Sequence, residues 1–266
     1  MSEKFLFNDA QIRSYLKRLG MDHAPSLSKT GLDSIVLAHQ THIPFEDLDS
    51  YIFKKTPDLD PDALYEKIIE RRRGGYCFEL NGILEIFLRS LGFDAISVFC
   101  RIVGFPGPLH PCSHRGVIVT IDDRRYFCDV GFGGPECPGA VLIEDGAETV
   151  CAGEPFQTRI YEPDPNWWVL SRTTSEGERA DVMHFNLFPQ LPQEFEPANF
   201  YCSHEEHQLF VGYLVVNLRT ENGSKGIMAD TFTRIENGLK TSETITSREQ
   251  LCRILSDEYG ITADLP

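Results

Sequence analysis

The stretch Arg71-Arg72-Arg73-Gly74-Gly75-Tyr76-Cys77-Phe78-Glu79-Leu80-Asn81-Gly82 constrains this chain more than any other. Two adjacent glycines allow a bend with few steric limits. An apolar helical pattern follows at once, through Phe78, Ile83, Leu84, Phe87, Leu88 and Leu91, and stops at Gly92. Cys77 therefore sits at or near a helix start, behind a flexible turn. Unpaired N–H groups and the positive end of the helix dipole favour a thiolate there, and a thiolate is a nucleophile at neutral pH. The competing reading is that Cys77 is one of eight cysteines and is simply buried.

Two residues downstream fit the first reading. His114 stands just before the strand-like run Arg115-Gly116-Val117-Ile118-Val119-Thr120-Ile121. Asp129 lies near the end of Arg124-Arg125-Tyr126-Phe127-Cys128-Asp129-Val130. Asp122-Asp123 joins the runs, a two-residue hairpin signal. One residue opens the first strand and the other closes the second, so the hairpin predicts that His114 and Asp129 are neighbours. An imidazole held by a carboxylate, with its other nitrogen toward a thiol, activates a nucleophile. The alternative is a pair of ordinary strand-end polar residues.

At this point the residues resemble a known family. Arg73-Gly74-Gly75-Tyr76-Cys77-Phe78-Glu79-Leu80-Asn81, then Ser113-His114-Arg115, then Cys128-Asp129-Val130-Gly131-Phe132-Gly133 are similar to the arylamine N-acetyltransferases, as is Ile43-Pro44-Phe45-Glu46-Asp47-Leu48-Asp49 upstream, with Asp47 where that family usually has Asn. The resemblance covers roughly residues 5 to 200. It weakens after about 195, where Ala198-Asn199-Phe200-Tyr201-Cys202-Ser203 replaces an Asn followed by a Ser/Thr-rich run.

The resemblance implies an α+β fold with a cysteine-protease-like core: an N-terminal helical bundle, a central antiparallel β-barrel and a C-terminal α/β lid. It implies Cys77, His114 and Asp129 as catalytic residues and acetyl-CoA as co-substrate, with no tightly bound cofactor. The loop Gly131-Phe132-Gly133-Gly134-Pro135 lacks the Lys-Ser/Thr of a Walker phosphate loop. Backbone N–H groups in such a loop can still hold an anion. The resemblance places Phe132, Gly133 and Gly134 against the CoA diphosphate, and Phe45 with Val103 on the wall of an acceptor pocket. The acceptors implied are aromatic amines, hydrazines or N-hydroxyarylamines. A related amide synthase, a thiol hydrolase with the same three residues, and a non-enzymatic binding module are the rival readings.

Composition sets bounds. The chain has 266 residues, 41% hydrophobic with 18 Phe, enough for a sizeable core. The net charge of −15 argues against nucleic acid or anionic membranes as partners. It does not forbid an anionic co-substrate on a local patch. No apolar run reaches about 18 residues, and Met1–Phe7 lacks a signal-peptide core. The eight cysteines are therefore expected as reduced thiols in the cytoplasm.

Three zones follow along the chain. Residues 1–92 read as helices: one from Asn8 or Asp9, one from Ser28, one from Asp60-Pro61, and the Cys77 helix. Residues 93–195 read as short strands: Ala95–Val103, Arg115–Ile121, Arg124–Val130, Ala140–Ile143, Thr158–Tyr161 and Trp167–Arg172. Residues 196–266 mix a helical stretch, strands at Leu214–Leu218 and Ile227–Ile235, and a final helix from Ser247 to Tyr259. Trp167-Trp168 reads as barrel packing at an edge. Cys202-Ser203-His204-Glu205-Glu206-His207 has ligand-type residues, but no second pair completes a four-ligand site, so it reads as a solvated helix face and no metal is expected. Pro111 argues against a regular helix presenting His110 and His114 to zinc.

Overall fold

Local capping accounts for the helices at the start of the chain. In the computed structural model, which describes residues 5–103, 109–134, 137–174, 177–205 and 209–265, the Asn8 side chain accepts from the N–H groups of Ala10 and Gln11 and opens α1 (Asp9–Arg18). Ser28 accepts from Gly31 and opens α2 (Lys29–His42). A two-residue strand β1 (Phe45–Glu46) and the short α3 (Leu48–Tyr51) follow. Asp60 caps α4 (Pro61–Tyr65), which widens into a π-helical turn at Glu66–Glu70. Helix α5 (Cys77–Leu91) ends at Gly92, whose φ of 101° suits a residue without a Cβ. Nearly all of α5 is buried.

Eight strands follow among the described residues, of which β2 and β3 pack on α5: β2 (Asp94–Ile102), β3 (His114–Ile121), β4 (Arg124–Cys128), β5 (Val141–Leu142), β6 (Glu148–Cys151), β7 (Glu154–Ile160), β8 (Trp167–Thr173) and β9 (Arg179–Asn186). Their order is β5-β4-β3-β2-β9-β8-β7-β6, all antiparallel, and β5 comes back beside β6, so the barrel is nearly closed. Asp122 and Asp123 both take positive φ (48° and 62°), the conformation a two-residue turn between β3 and β4 requires. The chain then forms a 3₁₀ turn at Pro192–Phe195, α6 (Glu196–His204), α7 (Leu209–Gly212), strands β10 (Val215–Thr220), β11 (Gly223–Met228), β12 (Thr231–Glu236) and β13 (Leu239–Thr244), and α8 (Arg248–Tyr259). β10 pairs with β1, so Phe45 belongs to the sheet of the last segment.

The structure departs from the sequence reading in several places. Strands β6, β9 and β13 carry too little period-two apolar pattern to be read. Ile227–Ile235 is two strands, broken at Ala229 with a φ of 56° and no Gly or Pro to signal it. Trp167-Trp168 belongs to β8, which lies between β7 and β9 rather than at an edge, and the Trp167 ring faces the Arg101 guanidinium at 4.6 Å. Glu206, His207 and Pro135 lie outside the described residues.

Buried apolar side chains form three clusters. The first joins α1, α2 and α5 to the outer faces of β3 and β4 and to Phe195 and Cys202. The second fills the barrel around Phe127, Phe156 and Phe185, and the third lies between α8 and the last sheet. Arg115 ties the first to the barrel. Its guanidinium reaches Glu85 of α5 at 2.9 Å and the Ser97 hydroxyl of β2 at 2.8 Å, with both charges largely out of water. Removing one partner of such a pair costs about 3–5 kcal/mol, whereas replacing both is often neutral. Arg115→Met should therefore lower unfolding stability by about 3–5 kcal/mol in denaturant titration, and a second change, Glu85→Met, should restore most of it. Equal loss in the single and double variants would show that the charge is not what Arg115 compensates.

Candidate active site

The turn before α5 is built by close approach. Arg72 takes the left-handed φ of 54°. Gly74 is needed for space, since a Cβ there would stand 1.9 Å from the Pro44 carbonyl oxygen. The sequence reading of two glycines as a freely bending pair gives the right residues for a different reason. Glu46 donates its N–H to the Gly75 carbonyl at 2.9 Å, fixing the turn against β1.

A buried charge cluster lies beneath it. Arg73 bonds Glu46 and Asp49; Lys67 bonds Asp49 at 2.6 Å and Glu79 at 2.7 Å. Burial drives the Glu79 carboxyl up to about 7, with Lys67 opposing. Its other oxygen accepts the Tyr76 N–H at 3.1 Å, so the cluster holds the residue before Cys77.

Cys77 is the first residue of α5, and Asn81 is one turn further on the same face. The Asn81 amide donates to the Arg115 carbonyl at 2.6 Å and to Asp129 Oδ1 at 2.8 Å, and its oxygen accepts the Val130 N–H at 3.0 Å. Asp129 Oδ1 also accepts the Gly131 N–H at 2.8 Å. Asp129 Oδ2 meets His114 Nε2 at 2.6 Å. The hairpin thus makes His114 and Asp129 neighbours, as the strand ends predict. Gly131 passes so close to α5 that a Cβ would lie 2.7 Å from the Cys77 Cα. Cys77, His114 and Asp129 are all at most 3% exposed.

The Cys77 thiol donates to the Ser113 carbonyl at 3.8 Å, next to His114. Among the described residues no hydrogen bond joins Cys77 to the imidazole. Burial, then the Cys202 thiol and the Asp129 carboxylate, push the Cys77 thiol well above its ordinary range; the N–H groups of Arg115 and Phe78 pull the other way. This corrects the expectation of a thiolate sustained by the helix start. A helix end contributes about 0.3–1 kcal/mol, while burying an unpaired ion costs several kcal/mol. A thiolate here needs a cation beside it, and His114 directly follows Ser113, whose carbonyl receives the thiol.

Cys202 does not lie on the solvated helix face that the sequence predicts. It is 1% exposed, and its thiol donates to the same Ser113 carbonyl at 3.7 Å. Helix α6 is fastened above Cys77 by the Tyr76 hydroxyl, which donates to Asn199 Oδ1, while Asn199 Nδ2 donates to the Pro57 carbonyl at 2.8 Å. Asn81 and Cys202 are the neighbours of Cys77 that sequence reasoning did not single out. A polar Asn at helical spacing from Cys77 in an otherwise apolar helix was the available signal for the first.

The expected cofactor and substrate residues are partly brought together. Phe45, Phe132, Gly133 and Gly134 line a cleft of about 310 Å³, its open side included, with Gln40, Ile43, Val130, Asn217 and Arg219. Gly133 has a φ of 87° and packs on the Phe45 ring, and the Phe132 ring stands edge-on to His114 at 6.1 Å. Val103, whose N–H donates to the Val182 carbonyl at 3.0 Å, is not among the lining residues. Among the described residues no group of three or more His, Cys, Asp or Glu is placed to hold a metal ion, and no helix is long and apolar enough to cross a membrane.

The model of the N-acetyltransferase family matches residues 30–265. The arylamine N-acetyltransferase of Mycolicibacterium smegmatis is 30% identical over 93% of this chain and 90% of its own length. The structure of arylamine N-acetyltransferase from Salmonella typhimurium superimposes with a TM-score of 0.88 at 27% identity, covering 96% of this chain and 92% of that one. The Mycobacterium marinum arylamine N-acetyltransferase in complex with CoA has a TM-score of 0.85 at 25% identity, covering 94% and 92%.

If His114 supplies the cation, removing it leaves the burial pressure on the thiol unopposed. In His114→Gln the pH midpoint for alkylation of Cys77 by iodoacetamide should rise by about 1–3 pH units, read by mass spectrometry of the Cys77 peptide. An unchanged midpoint would show that His114 does not govern the thiol.

Proposed function

The chain belongs to the arylamine N-acetyltransferase family, and on that premise we propose that it moves acetyl from acetyl-CoA to an arylamine, arylhydrazine or N-hydroxyarylamine through an acetyl-Cys77 intermediate. The observation that carries this reading is the 2.6 Å contact between His114 Nε2 and Asp129 Oδ2, beside the residue whose carbonyl receives the Cys77 thiol. With Nε2–H committed to the carboxylate, Nδ1 is the basic atom of the ring.

In the first half-reaction His114 Nδ1 takes the thiol proton as sulfur attacks the thioester carbonyl. The N–H groups of Phe78 and Arg115, which lie against the Cys77 sulfur, are the proposed donors to the oxyanion. The carbon–sulfur bond to CoA then breaks and CoA leaves with the proton from His114. In the second half the amine nitrogen attacks acetyl-Cys77, His114 accepts its proton, and the thiol is regenerated. Asp129 fixes the tautomer and stabilises the imidazolium.

The Gly133-Gly134 backbone and the edge of Phe132 are the proposed contacts for CoA. The cleft also carries the Arg219 guanidinium, which is ion-paired with Glu154 at 3.1 Å and bonds Gln40 at 3.0 Å. Phe45, Phe132 and Val103 are the proposed acceptor contacts, and of these Phe45 and Phe132 share the lining of the cleft. In this reading residues 1–92 present the nucleophile, 93–195 present His114 and Asp129, and 196–266 cover the site.

Steady-state rates at several aromatic amine concentrations should give parallel double-reciprocal plots against acetyl-CoA, and intersecting lines would contradict a covalent intermediate. Asp129→Asn keeps the shape but favours the wrong tautomer, so turnover should fall by about 10⁴-fold. Unchanged turnover in the folded variant would remove Asp129 from the chemistry.

A further inference from the structure

Cys77 and Cys202 come from distant parts of the chain, yet their thiols donate to one carbonyl oxygen. Sγ of Cys77 lies 3.8 Å from the Ser113 oxygen and Sγ of Cys202 lies 3.7 Å from it. The two sulfurs are therefore no further apart than those two lengths laid end to end. Both are buried in the same apolar cluster. The segments that carry them are fixed to each other, since Tyr76 and Asn199 join the turn before Cys77 to helix α6. Breaking two weak S–H···O bonds frees both side chains to turn toward each other.

We propose that Cys77 and Cys202 are a peroxide-sensitive thiol pair, a modification site at which hydrogen peroxide closes a Cys77–Cys202 disulfide. In the first step the Cys77 thiol loses its proton to His114 and sulfur attacks one peroxide oxygen. An S–O bond forms, the O–O bond breaks, and hydroxide leaves as water with that proton. Cys77 is now a sulfenic acid. In the second step Cys202 sulfur attacks the Cys77 sulfur, the S–S bond forms, the S–O bond breaks, and hydroxide leaves as water with the Cys202 proton. Two thiols and one peroxide become one disulfide and two waters. Burial pushes the Cys202 thiol up to about 12, as it pushes Cys77 up.

The other thiols near the site are placed differently. Cys100 lies in the barrel core, with its sulfur 2.8 Å from where a Gly116 Cβ would stand, and donates toward the Val98 carbonyl at 3.9 Å. Cys112 accepts from Arg101 at 3.6 Å. The loss of acetyl transfer on oxidation rests on Cys77 being the nucleophile; formation of the bond does not.

The test treats the full chain with a small excess of hydrogen peroxide, blocks remaining thiols with N-ethylmaleimide, and maps disulfides without reduction. The expected result is one cross-linked pair, Cys77 with Cys202. Acetyl transfer to an aromatic amine should be lost in step with it and recovered on adding dithiothreitol. In Cys202→Ala, and in Cys202→Ser as a second variant, the same exposure should carry Cys77 on to sulfinic acid, with activity that dithiothreitol does not restore. Sulfinic Cys77 in the unaltered protein without a cross-link, or a Cys77–Cys100 link, would overturn the proposal. A mapped Cys77–Cys202 bond with unimpaired acetyl transfer would support the thiol pair and count against Cys77 as nucleophile.

Discussion

Asn81 makes three hydrogen bonds, and each reaches a different part of one hairpin. Its amide holds the Arg115 carbonyl just after His114 and the Asp129 carboxylate, and its oxygen holds the N–H of Val130. Because Asn81 follows Cys77 by one helical turn, these bonds fix where α5 begins relative to the strand ends. His114 is positioned through Asp129, Asp129 through Asn81 and Gly131, and Gly131 fits only because it lacks a side chain. A hydrogen bond to a charged group contributes about 1.5–3 kcal/mol, so a helix start and a hairpin with no shared sequence can be held in one register.

Electrostatics divides the labour around that joint. Beneath the Cys77 turn, Lys67 and Arg73 face Glu46, Asp49 and Glu79, and these charges offset one another. At the thiol the N–H groups of Arg115 and Phe78 oppose burial, and burial outweighs them. Burial and its neighbours favour the neutral thiol, and in the proposed mechanism it becomes an anion as its proton passes to His114. This coupling suits a nucleophile that is inert until a thioester arrives. A second thiol, Cys202, donates to the same Ser113 carbonyl as Cys77.

Much of this arrangement was legible in the sequence because its causes are local. Asn8, Ser28 and Ser247 cap helices within three residues of themselves. Asp122-Asp123 declares a tight turn, and that turn places His114 beside Asp129 without any long-range information. What escaped has distant causes. Strand β9 carries Arg179, Asp181 and His184, and it is a strand because β2 and β8 flank it. Lys67 looks like a surface residue until the fold brings Asp49 and Glu79 to it. Cys202 looks solvated until Tyr76 and Asn199 press α6 onto the site. Helix position is written in the sequence, whereas the burial that pushes the Cys77 thiol up is not.

The central claim is that acetyl rests on Cys77 between donor and acceptor. Intact-mass measurement of the protein mixed with acetyl-CoA alone tests it directly. The account predicts one added acetyl group, mapped to the peptide containing Cys77, absent in Cys77→Ala and discharged when an aromatic amine is added. No adduct in folded protein that still acetylates the amine would contradict it.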